Sequence, residues 1–530
     1  MGVYLNPGND AFRQIRNGIY VDKTGLIDYI NGTIGTPFNL TCFSRPRRFG
    51  KSFAAMMLSA YYDRSCDSGE LFSDLRIAGT ASYENHLNQY DVIYLDITWF
   101  ISRAGTSVCD VVSEIQTAVI DELTMAFPDC VNHSETFLPD ALLKINRKTK
   151  ERFFVIIDEW DALFREAKDD EKLQNSYIQF LRGLFKSGPA MKSVIAGAYM
   201  TGILPIKKYG TQSALTDFKE YSMVDPLALS EYVGFTEQEV QMLCDKYHVD
   251  FDRMKQWYDG YSFADTDSVY SPNSVMGAVN FGKFKSYWTS SETYESLKDY
   301  ICRNFDGLKD TIVRMLGGQR ECVDIGTFQN DMTSFHSRDD ILTLLIHLGY
   351  LAFDEREMKA YIPNQEVSDA FRLAVKGTDW KEVNQALSRS ETLLKATVNQ
   401  DCEAVAAALE LAHETCASTL SYNDENSLSC AIMLAYYTAQ NYYEIVRELP
   451  AGKGFADCAF IPRRNTDKPA MMIELKCDRT ADSAIQQIKD RRYAGRLKDY
   501  AGELLLVGIN YDKKSKGKEL KRHTCVIERI

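Results

Sequence analysis

Ser44-Arg45-Pro46-Arg47-Arg48-Phe49-Gly50-Lys51-Ser52 follows an apolar run at 38–43 and leads straight into FAAMMLSAYY, a strong helical pattern. Strand, loop, helix is the placement that a phosphate-binding loop requires, because backbone N–H groups and the positive helix N-terminus then face the anion. In that placement the Gly50-Lys51-Ser52 core sends Lys51 to the β and γ phosphates and the Ser52 hydroxyl to Mg²⁺. One element departs from the general G-x-x-x-x-G-K-[ST] pattern: Arg45 stands where the first glycine is expected.

About a hundred residues on, FFVIIDEWD is an apolar strand ending in Asp158-Glu159. An acid at a strand tip holds Mg²⁺ through water, and a neighbouring glutamate orients and deprotonates the attacking water. The two motifs in this order predict ATP or GTP binding; the competing reading of the second is an acidic strand end that only caps a helix. A further apolar run ends in Thr201-Gly202. Thr201 there either senses the γ-phosphate or is an ordinary turn residue.

Outward from these motifs, residues 1–235 alternate strand-like runs (38–43, 92–98, 153–158 and 193–201) with longer helical patterns. That alternation is the sequence form of an α/β fold with a parallel sheet. After Leu229 the strand pattern stops, and Thr236-Glu237-Gln238-Glu239 has the capping-box form that opens a helix. A helix at 339–349, with Ile341, Leu344, Leu345 and Leu348 on one face, followed by LAFDEREMKAYIP, predicts a helix and hairpin of winged-helix type. It lacks the basic recognition helix of a DNA reader, which favours a packing role. Helices are expected to fill 381–415 as a connector. Beyond 416 the pattern is helix (426–437), three strands, helix and two strands.

The 530 residues carry 61 Lys+Arg against 74 Asp+Glu, a net charge of −13, with 45% hydrophobic residues. Such usage excludes disordered, collagen-like and coiled-coil chains. No stretch approaches the roughly 18 apolar residues of a membrane span, and the first residues lack a secretion pattern. The 13 cysteines include no C-x-x-C pair. Reduced thiols in a cytoplasmic protein, with no membrane partner, are therefore expected. Charge is nevertheless segregated: 479–522 holds 12 Lys/Arg against 6 acids. This stretch is either a phosphate-backbone track or a solvated Lys-rich terminus.

Near the C-terminus, Gly454-Phe455-Ala456-Asp457 is followed seventeen residues later by Glu474-Leu475-Lys476. Strand alternation puts Glu474 and Lys476 on one face with Leu475 turned into the core. Asp457 on a neighbouring strand would complete two carboxylates and one ammonium. Phosphodiester hydrolysis uses those groups: carboxylates for one or two Mg²⁺, lysine to orient water or offset charge. Alone, E-L-K is common, and a surface ion pair is its default reading.

The segments YVDKTGLIDYI (20–30), SRPRRFGKS (44–52), IIDEWD (156–161), TGI (201–203), WYDGYSF (257–263) and YSPNSV (270–275) resemble the AAA-ATPase-like family of bacterial proteins over roughly residues 1–280. In that family R-P-R-R-F-G-K-S is the usual phosphate loop. The resemblance implies a P-loop ATPase of the additional-strand type, with Lys51 and Ser52 on phosphate and Mg²⁺ and Asp158 and Glu159 as the acidic pair. Arg45, Arg47 and Arg48 would supply charge to the phosphates or to a neighbouring subunit of a homo-oligomer, or form a solvated basic loop. The order of elements over 421–500 resembles the PD-(D/E)XK nuclease superfamily. That implies Asp457 and Glu474 as metal ligands, Lys476 as catalytic lysine, Glu425 as the acid of the first helix and Gln487 as the helix glutamine. Glu448 is a second candidate for the upstream acid.

The expected organisation is thus a P-loop AAA-ATPase-like domain (1–235), a helical lid with a winged-helix unit (236–380), a helical connector (381–415) and a restriction-endonuclease-like mixed α/β domain (416–530). Two functions follow as expectations. In one, ATP and Mg²⁺ at the first site regulate a Mg²⁺-dependent nuclease acting on nucleic acid, DNA ahead of RNA. In the other, a regulatory or signalling ATPase carries a nuclease-like domain that binds nucleic acid or protein without cutting.

Overall fold

The computed structural model describes residues 2–104, 111–186, 188–209, 212–263, 266–288, 293–303, 305, 307–316, 318–330, 332, 335–376, 381–416, 435–436, 439, 442–451, 454–462, 468–490, 503–512 and 522–530. They fall into two compact units: Met1–Thr293 with Cys322–Asp369, and Tyr294–Glu321 with Ala370–Ile530.

The first unit is built on a parallel sheet of β1 (Leu40–Ser44), β2 (Asp91–Asp96), β3 (Phe153–Asp158), β4 (Ile195–Gly202) and β5 (Lys219–Tyr221), in the order β2-β3-β4-β1-β5. β4 lies between the strand that feeds the phosphate loop and the strand that ends in Asp158, which is the additional-strand arrangement. Both loops therefore open at the C-terminal edge of one sheet, where α/β folds bind ligands. β1 to β4 lie within three residues of the expected runs; β5 is a three-residue edge strand that sequence periodicity does not reveal. On one face Val155, Ile157, Ala198 and Met200 join a single apolar cluster with Ile115, Val119 and Leu123. On the other lies α1 (Lys51–Tyr62), whose Tyr62 ring stacks on Phe154 at 4.0 Å. Each such side chain contributes about 1.5–3 kcal/mol by leaving water. The helix that supplies Ile115, α2, spans Val111–Ala126, and a short α3 (Ala162–Glu166) follows β3.

The helical region expected after Leu229 holds, besides its helices, a small sheet that the sequence did not announce. β6 (Phe235–Thr236), β7 (Tyr261–Phe263) and β8 (Thr266–Tyr270) form an antiparallel sheet in the order β6-β8-β7. Strands of two to five residues show little or no alternation of their own. The capping box is present at α4 (Glu237–Tyr247): the Thr236 hydroxyl accepts the Glu239 N–H at 3.4 Å, and Glu239 accepts the Thr236 N–H at 2.8 Å. α5 (Pro272–Phe281) packs nearby through Val275 and Ala278. The helix and hairpin are α6 (Arg338–His347), β9 (Ala352–Asp354) and β10 (Lys359–Tyr361). Every α6 residue from Asp340 to His347 is buried, so the helix has no free face to lay in a groove. The chain leaves this unit through α7 (Gln365–Lys376).

In the second unit α8 (Lys381–Val398) and α9 (Cys402–Cys416) precede a mixed sheet of β11 (Tyr443–Ala451), β12 (Gly454–Pro462), β13 (Ala470–Cys477), β14 (Leu504–Tyr511) and β15 (His523–Arg529). Neighbours follow sequence order, and β13 with β14 is parallel while the other pairs are antiparallel. Met471, Ile473 and Leu475 of β13 face α8 and α9 through Leu393, Val405 and Leu409. Met472 faces the other way, onto Ile485 and Ile488 of α10 (Ala481–Asp490). The helix expected at 426–437 falls almost wholly outside the described residues.

Candidate functional site

β1 ends at Ser44 and the chain turns through Arg48 (φ 68°) and Gly50 (φ 93°) before α1 begins at Lys51. The left-handed conformation at Gly50 is open to glycine and strained for other residues. Lys51 is buried, its Nζ 3.1 Å from the Pro46 carbonyl and 3.5 Å from Glu159. A cavity of about 810 Å³ opens over this turn. Its lining includes the polar and charged Arg47, Lys51, Ser52, Asp158, Glu159 and Arg165 and the largely apolar Ile15, Ile19, Tyr20, Phe235 and Met276. Charged and apolar groups lining one cleft suit a triphosphate joined to a base.

The acids sit where β3 stops. Asp158 accepts Tyr94 Oη at 3.3 Å, and the neighbouring Ser52 hydroxyl favours its ionised form. Burial pushes its carboxyl up to about 6, against the pull of Ser52 and Lys51. A hydroxyl beside a carboxylate is an oxygen set that fits Mg²⁺. Among the described residues no group of three or more His, Cys, Asp or Glu is placed to hold a metal. The fit is therefore to Mg²⁺ of the kind bound by one or two protein groups together with substrate phosphates. Glu159 has φ 52°, a left-handed backbone for a non-glycine residue, and pairs with both Lys51 and Arg165. Burial pushes its carboxyl up, but Lys51, Arg165 and Arg47 outweigh that and hold it below the usual range. Asp161 staples the turn: it accepts the N–H groups of Ile203 at 3.2 Å and Leu204 at 2.9 Å and the Arg165 guanidinium at 3.2 Å.

The three loop arginines have three different surroundings. Arg47 is exposed and lines the cavity, with its charge on Glu159. Arg48 lines the cavity and donates to the Tyr287 carbonyl at 2.6 Å. Arg45 is placed away from the cavity, fully buried, donating to the Ser222 carbonyl at 2.7 Å and the Ser44 carbonyl at 3.2 Å. Its guanidinium lies 4.7 Å from the ring centres of both Phe43 and Phe263, a double cation–π contact. Burial lowers its pKa to about 9. Thr201 is likewise buried and is not among the cavity-lining residues. Lining residues to which the sequence reading assigned no role are Arg165, Asp96, Ile15 and Ile19. Arg165 had one legible signal, its i,i+4 spacing from Asp161.

In the second unit, alternation along β13 does what its period demands. Leu475 turns into the core, while Glu474 and Lys476 share the α10 face, 1% and 6% exposed. Lys476 Nζ donates to Glu474 Oε1 at 2.9 Å and to the Leu475 carbonyl at 3.0 Å. Gln487 of α10 also donates to Glu474 Oε1. The register pairs Cys458 with Ile473, and Asp457 and Glu474 are the next residues along their strands. The side chains of Asp457 and Glu448, and Glu425 altogether, lie outside the described residues.

Comparison with known proteins bears on both sites. A family model described as "Predicted AAA-ATPase" matches residues 7–211, and one described as "PD-(D/E)XK nuclease superfamily" matches 424–519. An ATPase-like N-terminal region and a nuclease-superfamily domain therefore occur in one chain. A curated protein of Azotobacter chroococcum mcd 1, "Uncharacterized protein in vnfD 5'region", is 24% identical over 302 residues, 56% of each chain. The matched stretch thus spans little more than half the length of that relative. Among solved structures, the Walker-type ATPase paby2304 of Pyrococcus abyssi aligns at TM-score 0.33 and 12% identity, over 66% of this chain and 94% of that one. The ORC2 protein of Aeropyrum pernix aligns at TM-score 0.24 and 11% identity, over 67% of this chain and 94% of that one.

Proposed function

We propose that the first unit binds and hydrolyses ATP, and that its nucleotide state regulates a Mg²⁺-dependent nuclease in the C-terminal domain, acting on DNA in preference to RNA. The observation that carries the first half is that Ser52, Asp158, Lys51 and Glu159 line one cavity, with Lys51 3.5 Å from Glu159. Lys51 exchanges the Pro46 carbonyl and Glu159 for the β and γ phosphates. Glu159, kept ionised by its cationic neighbours, takes a proton from the attacking water. Arg47 offsets charge growing on the transferred phosphoryl group. Bound Mg²⁺ supplies charge neutralisation at the phosphates, from the side of Ser52 and Asp158.

At the second site a bound divalent cation supplies Lewis acidity and an activated water. Glu474 and Asp457 are its proposed ligands, Gln487 orients Glu474, and Lys476 orients water or offsets charge on the cleaved phosphodiester, with Glu425 or Glu448 as the upstream acid. The basic stretch 479–522 is proposed as the track for the nucleic-acid backbone, which makes binding salt-sensitive. A cytoplasmic setting, possession of a homo-oligomeric form and absence of a membrane partner belong to the same reading. Among the described residues no helix is long and apolar enough to cross a membrane. The second reading, a nuclease-like domain that binds without cutting, is favoured by the way Glu474 is tied to Lys476 and Gln487.

The deciding experiment is a cleavage assay on single-stranded DNA, duplex DNA and RNA with Mg²⁺ or Mn²⁺, with and without ATP. Wild type is compared with Glu474→Ala and Lys51→Ala. Metal-dependent cleavage lost in Glu474→Ala at unchanged ATP binding supports the nuclease; equal cleavage by both proteins removes it and leaves the binding reading.

A further inference from the structure

The segment Tyr287-Trp288 is gripped from two sides. On one side Arg48 of the phosphate loop donates to the Tyr287 carbonyl at 2.6 Å. On the other, Glu366 Oε1 accepts the N–H groups of Tyr287 at 2.6 Å and Trp288 at 2.9 Å, and Oε2 accepts the Ser274 hydroxyl at 2.7 Å. Two more loop residues press on the same region. Gly349 has φ 83°, and a Cβ there would stand 2.6 Å from the Trp288 ring and 2.7 Å from Pro46, so loop and segment meet across a bare backbone. The Gly349 carbonyl accepts Tyr261 Oη at 2.6 Å, and the Tyr261 ring meets Phe49 edge-on at 5.3 Å. Pro46, Arg48 and Phe49 thus tie the loop to this region, Arg48 and Phe49 while also lining the cavity.

Glu366 is 1% exposed. A buried carboxylate is costly unless its oxygens are well bonded, and this one is bonded to amides almost eighty residues away. It stands in the first turn of α7, and α7 carries the chain onward: residues to Asp369 count with the first unit, residues from Ala370 with the second. The phosphate loop and the exit helix therefore share one short peptide segment as their common partner.

We propose that Glu366 is a positioning residue that couples nucleotide occupancy to α7: when the triphosphate reorders the loop at Arg48, Tyr287-Trp288 moves with it and Glu366 carries the movement into the first turns of the exit helix. This rests on the nucleotide reading of the cavity. Coupling through packed and hydrogen-bonded elements requires an equilibrium that both ends bias; the peptide clamped at its carbonyl by one end and at its amides by the other is the element on which both ends would act.

The test is hydrogen exchange on the full chain with and without saturating Mg²⁺–ATP analogue (the β,γ-imido form), with binding of that probe measured on the same samples. Wild type is expected to show nucleotide-dependent slowing at 45–52 and also at 365–376, the latter by between about fivefold and 150-fold, the span of ordinary coupling energies. Glu366→Gln should bind the probe and keep the change at 45–52 but lose it at 365–376; Glu366→Asp should restore it. A change at 45–52 with none at 365–376 in wild type overturns the coupling and leaves the nucleotide site standing. Absence of probe binding overturns both. Should Glu366→Gln not fold, the wild-type comparison still decides.

Discussion

The two candidate sites are built from similar groups and rest in opposite conditions. At the phosphate loop Lys51 and Glu159 lie 3.5 Å apart beside a cavity of about 810 Å³. At β13 Lys476 and Glu474 lie 2.9 Å apart, almost fully covered, with Gln487 on the same carboxylate oxygen. The first pair faces room for a large anion and has alternative partners close by; the second has closed on itself. Ligand entry at the first site exchanges one set of ionic contacts for another. A cation bound through Glu474 Oε1 would have to draw that oxygen away from a buried ammonium, so its binding energy would be partly consumed in opening the site.

The largest expected effects would separate the sites completely. Lys51→Ala should cut ATP turnover by about a hundredfold or more, the scale of removing a charge aimed at a phosphoryl transition state. Glu474→Ala should leave that turnover unchanged in a phosphate-release assay. Loss of turnover in both variants would break the comparison. Next, Lys476→Met should destabilise the second unit by about 3–5 kcal/mol, because it strands a buried carboxylate. Denaturant melting followed at that unit checks it; a change within a few tenths would mean that the pair is looser than its geometry.

A smaller effect comes from pH. The Asp158 carboxyl sits at about 6, against about 3.9 in an unfolded chain. The fold thus holds its proton more tightly than the unfolded chain does. The stability this contributes is full below about pH 4 and is lost as pH rises through about 6. Mg²⁺ needs the ionised form, so Mg²⁺–nucleotide affinity should move the other way. It should fall by about tenfold per pH unit below 6, and Asp158→Asn should flatten the profile. The smallest effect is Tyr94→Phe, which removes the 3.3 Å hydrogen bond to Asp158. It should weaken Mg²⁺–nucleotide binding by less than about tenfold, the worth of one hydrogen bond.

Legibility in the sequence followed the length of the signal. β3 ending in Asp158, the capping box at Thr236 and the alternation at Glu474-Leu475-Lys476 each declare themselves, since the period or spacing is complete within the stretch read. β5 and the sheet of β6, β7 and β8 do not, because strands of two to five residues take their partners from elsewhere in the chain. Arg45 misled for a different reason. Charge ordinarily signals water or an anion, and only Phe43 and Phe263, far apart in sequence, reveal that its partners are rings. Arg165 could have been read from its spacing to Asp161; the clamp on Tyr287-Trp288 could not, since Glu366 lies nearly eighty residues from the amides it binds.

Writing a glycine at position 45 would perfect the general motif on paper. In the molecule it would pull a planar plug from between two aromatic rings and free the Ser222 carbonyl. The substitution that makes the text look more like a nucleotide loop would thus hollow the ground under it, and a search keyed to that first glycine would walk past every chain built in this way.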